Sequence, residues 1–366
     1  MKHLILLAFS ACFFLDSQAQ DTTKTSQTEE DYSQYGDVEY VGSETKTYAN
    51  AKINGLSPQR FASIAWDAQG AHTLKFSDIG SYLPESNWTA NEEGRVNYLG
   101  GLRLYANIPV ISSNKLLWQL GFNYAASNYQ ITEIPLTGIN PASKIIPVLD
   151  EKGLKTSGLF STLYKPLNDK QFVLVQVQAD VSGNYSLSNP QSLRYSRYSA
   201  AALWGKRPHD RFQWGIGMSQ TYRAGALNYI PVVMYNKTSK SGKWGTEILF
   251  PARAHARYRF SASSLLLMGY ELEGNSYRLE DFSTPANSFE LRRSELRPRI
   301  EFQKKLTGFF WVSAQAGFRL NYSFDADNLP NGKDFFRGFT GQQPFAAFSS
   351  MTPAPYINFG IHFVSP

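Results

Sequence analysis

The residues best suited to chemistry form a ladder of alternating charge. Arg253, His255, Arg257 and Arg259 take every second position, with Ala254, Ala256, Tyr258 and Phe260 between them. Glu271 and Glu273 then share one parity, opposite Tyr270 and Leu272. Beyond them Arg293, Glu295, Arg297, Arg299 and Glu301 face away from Leu296, Ile300 and Phe302. A spacing of two puts each set on one face of a strand, whereas a helix would scatter it around its circumference. Two chemistries suit such a wall. One is a lattice of Arg–carboxylate bridges that fills and stiffens an interior. The other is a water-filled pore with a modest preference for anions, since six arginines of the set stand against four glutamates.

Catalytic chemistry has weaker support. Hydrolysis at a lipid-facing rim needs a histidine, a serine and a third, orienting group. His72, His209, His255 and His362 follow the first twenty residues, and none sits in a His-x-Ser motif. A lipid hydrolase therefore remains the alternative from another class, and no catalytic residue is assigned. Asp325-Ala326-Asp327-Asn328, followed by Asn331-Gly332, begins like a calcium loop. Leu329 and Pro330 stand where the EF-hand pattern requires a ligand and then glycine, so neither a metal nor any cofactor is assigned.

The elements that must position the ladder are strands. Leu116, Trp118, Leu120, Phe122 and Tyr124 alternate with Leu117, Gln119, Gly121 and Asn123. Phe310 to Tyr322 and Phe212 to Met218 carry the same period of two. The runs 94–108, 171–185, 289–304 and 309–322 are longer than the roughly 5–6 residues of a soluble strand. They suit the roughly 9–11 residues of a tilted membrane strand. Short polar turns (112–114, 167–170, 207–210, 239–242, 261–264 and 306–308) alternate with long intervals at 71–93, 133–152 and 325–355. Short periplasmic turns and long external loops are the expected asymmetry of an outer-membrane barrel. The count gives an all-β fold, a single antiparallel up-and-down barrel of about fourteen strands, with twelve as the alternative. The junction Phe250-Pro251 is the least defined, because two short strands or one bent strand fit it equally.

Composition agrees. Aromatic residues are 14% of the 366 and charged residues only 18%, against roughly 25% charged in soluble domains. Outside the first residues no stretch reaches the roughly 18 apolar residues of a membrane helix. The formal charge of +6 is spread along the strands, which argues against a nucleic-acid partner. Trp118, Trp204, Trp214 and Trp244 each lie near a short turn on the apolar parity, as a periplasmic aromatic girdle would. Trp311 has the opposite parity. Ile357, Phe359, Ile361 and Phe363 alternate with Asn358, Gly360 and His362, a last strand able to close the barrel on the first. This strand is similar to the C-terminal signal read by the barrel assembly machinery, although Val364-Ser365-Pro366 follow the aromatic.

Residues 1–19 read as a signal peptide, with Lys2, the apolar run Leu4 to Leu15 and small residues up to Ala19. Cleavage there removes Cys12, the chain's one cysteine, and with it any disulfide chemistry. Residues 20–58, polar and acidic at first, read as a flexible periplasmic leader, and 59–366 as the barrel. Five phenylalanines, Phe335, Phe336, Phe339, Phe345 and Phe348, suggest a loop that caps the mouth or binds an apolar ligand.

The segment Tyr229 to Leu279 resembles a family of uncharacterised outer-membrane β-barrels known as a domain of unknown function. The resemblance rests on Tyr229-Ile230-Pro231-Val232-Val233, on Trp244, Glu247, Leu249-Phe250-Pro251 and Tyr258, and on the run Gly269 to Leu279. It implies the barrel and the outer membrane, and no activity. The expected function is structural or passive permeation through a lumen lined by the ladder, with binding at the surface loops as a further alternative. The expected partners are outer-membrane lipid and the assembly machinery, and the expected state is a monomer.

Overall fold

A computed structural model of the chain describes residues 49–77, 92–132, 141–185, 196–223, 226–280, 288–328 and 348–364. The signal segment 1–19, the leader up to residue 48, and Phe335, Phe336, Phe339 and Phe345 lie outside them.

The strands are β1 (Arg60–Gln69), β2 (His72–Ser77), β3 (Glu92–Ser113), β4 (Leu116–Thr132), β5 (Leu154–Pro166) and β6 (Gln171–Gly183). They continue as β7 (Ser196–His209), β8 (Phe212–Arg223), β9 (Ala226–Thr238), β10 (Trp244–Phe250) and β11 (Arg253–Ser261). The last are β12 (Ser264–Glu280), β13 (Ser288–Thr307), β14 (Phe310–Asn328), β15 (Phe348–Met351) and β16 (Ala354–Val364). Each pairs antiparallel with its neighbour, and β1 closes the circle between β16 and β3. Across the closing seam Ile64 lies opposite Ile361 and Leu104, and Trp66 opposite Phe359 and Leu102. β2 continues β1 past Gly70, and β15 precedes β16 across Thr352-Pro353, so the two short strands prolong wall strands. The closed barrel therefore has fourteen strands.

Alternation fixes which face meets lipid. Along β16 buried and exposed residues alternate almost perfectly, with Ile357, Phe359 and Ile361 outward and Tyr356, Asn358 and His362 inward. Leu159, Ile216, Ile300 and Phe318 are likewise exposed large apolar residues. Such a surface is stable only against hydrocarbon, and closure satisfies the backbone groups an open edge would strand there.

Several sequence expectations are refined. The interval 133–152 is not all loop: α1 (Pro141–Lys152) occupies its second half. Ile145, Ile146 and Leu149 bury one face of α1, and Gly153, at φ 61, ends it with its N–H on Leu149 O. Pro147 inside so short a helix masks the periodicity in sequence. The interval 71–93 contains β2 and the start of β3, and 325–355 contains the end of β14, all of β15 and the start of β16. The turn placed at 207–210 narrows to Asp210-Arg211, because β7 runs on to His209. At Phe250-Pro251 there are two short strands forming a hairpin.

Three apolar clusters fill the barrel around its charged middle. At the long-loop end Leu74, Val96, Leu99, Leu149, Leu291 and Phe324 belong to one core. There β12 leans far enough to pair with β6 at Arg278 and Gly183, and Asn184 N–H donates to Arg278 O at 3.3 Å. Nearer the short turns Tyr164, Phe172, Leu203 and Met234 form a second cluster around Ala49. Leu265, Leu267, Trp311 and Val364 form the third, so Trp311 points inward as its parity predicts.

Candidate functional site

The ladder strands β11, β12 and β13 are adjacent, which brings their inward charges onto one wall. Glu273 faces Glu295 across the β12–β13 pair and Glu271 faces Arg297. Like charges directly opposite repel, and the arginines between them relieve it. Arg297 pairs with both Glu273 and Glu295. Arg293 donates to Glu295 at 3.0 Å and to the Tyr129 hydroxyl at 3.3 Å. Arg299 reaches Glu271 at 2.7 Å, Glu301 at 3.0 Å and the Gln315 carbonyl at 2.8 Å. His255 Nε2 lies 3.8 Å from Glu271.

Two rungs leave this network. Arg257 is fully buried and meets Glu247 of β10 at 3.0 Å and Thr238 at 3.1 Å. It lies flat across β10 because position 245 is glycine: a Cβ there would sit 2.2 Å from its guanidinium. Arg259 donates to the carbonyls of Leu56 at 3.1 Å and Gly55 at 3.4 Å. Arg253, at the top of β11, is exposed.

The network recruits residues outside the sequence-defined ladder. Asp67 of β1 pairs with Arg103 of β3 and, at 3.0 Å, with Arg319 of β14. It also accepts a hydrogen bond from Asn358 at 2.6 Å. Arg103 continues to Glu273 at 3.0 Å, and Arg319 approaches Glu295 at 4.0 Å. Arg60 pairs with Glu301, and Arg197 with Glu290 at 3.4 Å. Arg319 stacks over Tyr356, its guanidinium 5.0 Å from the ring centre. Parity alone marks Asp67, Arg103 and Arg319 as inward. Their joining the ladder follows from barrel closure, which sets β1 beside β3 and β16.

The segment 49–57 enters the barrel at its short-turn end. Tyr164 OH donates to Asn50 O at 2.8 Å and to Ala49 O at 3.2 Å. Asn54 N–H donates to Asp210 O at 2.7 Å, and both the N–H and hydroxyl of Ser57 donate to Glu247 at 2.8 Å. Ile53 is buried. Tyr164→Phe removes the first anchor and is expected to weaken docking by about 0.5–1.5 kcal/mol. Trypsin cleavage at Lys52 would then accelerate roughly 2- to 10-fold relative to the parent; an unchanged rate would mean the hydroxyl holds nothing.

The four girdle tryptophans lie close to the short turns. Trp204 and Trp214 meet edge-on at 5.8 Å, Trp118 donates to Ser161 at 2.9 Å, and Trp244 packs on Tyr258 at 4.6 Å. Among the histidines, His362 Nε2 lies 2.7 Å from Ser313 Oγ, both buried. Among the described residues its Nδ1 meets no hydrogen-bond partner, and no acid there orients it. Among the described residues no cluster of His, Cys, Asp and Glu has the arrangement of a metal site.

A closed antiparallel barrel, apolar outside and lined with buried Arg–carboxylate pairs, is an outer-membrane β-barrel protein. The chain belongs to the family described as a domain of unknown function, DUF6268, whose model matches residues 150–364. That span contains Tyr229 to Leu279, which carry the resemblance in sequence. The chain matches no curated protein sequence.

Among solved structures, an outer membrane channel from Pseudomonas putida F1 is 11% identical, with TM-score 0.31 over 87% of this chain and 98% of that one. The Pseudomonas putida toluene transporter TodX is 8% identical, with TM-score 0.32 over 87% and 95%. The outer membrane protease OmpT from Escherichia coli is 7% identical, with TM-score 0.26 over 85% and 99%.

Proposed function

We propose that the protein is a structural or passive-transport barrel in which the ladder rungs from Glu271 to Glu301, joined by Asp67, Arg103 and Arg319, act as an ionic brace that keeps the axial route shut to hydrated solutes. The observation that carries this reading is Glu295, buried between Arg293, Arg297 and Arg319. Buried charges are tolerated when they are paired, and the near-complete burial of Glu295, Arg297 and Arg319 supports an axial route closed at this level. The apolar core at one end and the docked segment at the other support the same reading.

In this reading the protein is not an enzyme, in keeping with a Ser313–His362 pair that is buried and lacks an orienting acid. It works as a monomer, is inserted by the barrel assembly machinery, and sets Trp118, Trp204, Trp214 and Trp244 at the periplasmic headgroups. Liposomes carrying the refolded barrel should swell in isotonic arabinose no faster than empty liposomes. Porin-like swelling would overturn the proposal.

A further inference from the structure

Neighbouring strands break at one level of the wall. Pairing of β1 with β3 ends at Gln69–Leu99, and pairing of β2 with β3 begins at His72–Val96. β1 leaves β16 at Gln69–Tyr356, and β15 leaves β2 at Met351–Leu74. At the same level β3 shifts register against β4 between Val96 and Tyr98. The break leaves a recess of about 410 Å³ on the outer surface, with His72, Thr73, Glu93, Arg95 and Thr352 in its lining. That volume falls within the roughly 300–1,000 Å³ of ligand clefts.

The outward residues fix its depth. Ile64 and Trp66, both exposed, lie opposite Leu104 and Leu102 on the lipid face. Trp66 Nε1 donates to the Tyr98 hydroxyl at 3.1 Å, a pair suited to the headgroup zone. Above this pair the outward residues turn polar, with Arg95 and Glu93 on β3 beside Thr73 and Lys75 on β2. From Trp118 to Gln130, which faces Tyr98, β4 climbs roughly 30 Å at about 3.3 Å per residue and about 40° of tilt. The apolar band of a barrel is about 25 Å tall, so the recess stands among the headgroups of the leaflet on the long-loop side.

The recess offers a cation beside neutral donors and acceptors. Arg95 is exposed, and among the described residues it pairs with no carboxylate, because Glu93 is taken by Lys75. Its guanidinium is free to meet a phosphate with two parallel N–H donors. The ring of His72 is buried, and its Nδ1–H donates to Gly70 O at 2.9 Å, which makes Nε2 an acceptor. Among the described residues that Nε2 meets no hydrogen-bond partner. Thr352 Oγ1 accepts from the Thr73 N–H at 2.9 Å and keeps its own proton to donate. A phosphate alone would use only Arg95; a phosphorylated sugar uses the whole set.

We propose that the recess binds the phosphorylated hexosamine headgroup of an acylated lipid, with phosphate on Arg95 and sugar hydroxyls on His72 Nε2 and Thr352. The recess opens directly above the apolar surface of Ile64, Leu102 and Leu104, where the acyl chains of such a lipid lie. That continuity favours a lipid headgroup over a free sugar phosphate. The orientation of the proposed function, with short turns in the periplasm, puts the site in the external leaflet and gives the barrel a specific lipid partner there.

The test titrates the refolded barrel in detergent with diphosphoryl lipid A and reads the bound fraction by native mass spectrometry. Arg95→Gln should weaken binding about tenfold, the loss of one charge-assisted contact to phosphate. Lys115→Gln, which removes an exposed cation at the β3–β4 turn, should leave it unchanged. On the parent barrel, dephosphorylated lipid A and phosphatidylglycerol, which keeps a phosphate without the sugar, should each bind about tenfold more weakly. Arg95→Gln within two-fold of the parent would overturn the proposal, as would equal binding of either comparison lipid. Free glucosamine 1-phosphate binding as tightly as lipid A would overturn the lipid as its source. Binding in detergent depends neither on orientation nor on the axial route, so its failure stands apart from any swelling in arabinose.

Discussion

Replacing Glu295 with glutamine should destabilise the barrel by about 3–5 kcal/mol, because it leaves buried arginine charge without its counter-ion. Glu295 is almost fully buried and meets Arg293 at 3.0 Å, Arg297, and Arg319 at 4.0 Å. Glutamine keeps the shape and one acceptor but removes the charge that three guanidiniums share. Arg297 keeps Glu273 and Arg319 keeps Asp67 at 3.0 Å, whereas among the described residues Arg293 pairs with Glu295 alone. The loss is read from the urea midpoint of the refolded barrel in detergent, with mobility in unheated gels as the folding control. A shift under about 0.5 kcal/mol, the scale of an exposed pair, would mean that water screens the site.

Phe359→Arg should cost about 2–4 kcal/mol when the barrel folds into a bilayer, and little in a detergent that solvates the cation. Phe359 is 58% exposed on β16, opposite Trp66 of β1 and Ala314 of β14, well inside the outer apolar face. The same change at exposed Lys115, in the β3–β4 turn, adds no charge and serves as the neutral control. Equal folding of both variants into bilayers would contradict a lipid-facing β16.

Much of this architecture is legible in sequence because two rules act on every residue of a membrane strand. Ile357, Phe359 and Ile361 must face hydrocarbon, and Asn358 and His362 must not, so the period of two reveals both the strand and its inward face. The ladder rungs on β11, β12 and β13 are legible for the same reason, and their neighbourhood follows from chain order. The closing partners are harder to read. Asp67, Arg103 and Arg319 lie far apart in sequence and meet only because β1 is inserted between β16 and β3.

The helix α1 escapes notice because Pro147 interrupts its short apolar stripe. The docking of 49–57 escapes it too, since its anchors are largely backbone carbonyls and amides that carry no residue-type signal.

The most direct test of the shut axis is single-channel conductance of the refolded barrel in a planar bilayer. The structure predicts a folded, heat-modifiable barrel with no steady current in potassium chloride at moderate voltage. Steady anion-selective current that falls when Arg257 and Arg297 are neutralised would contradict it and make the ladder the lining of an open pore.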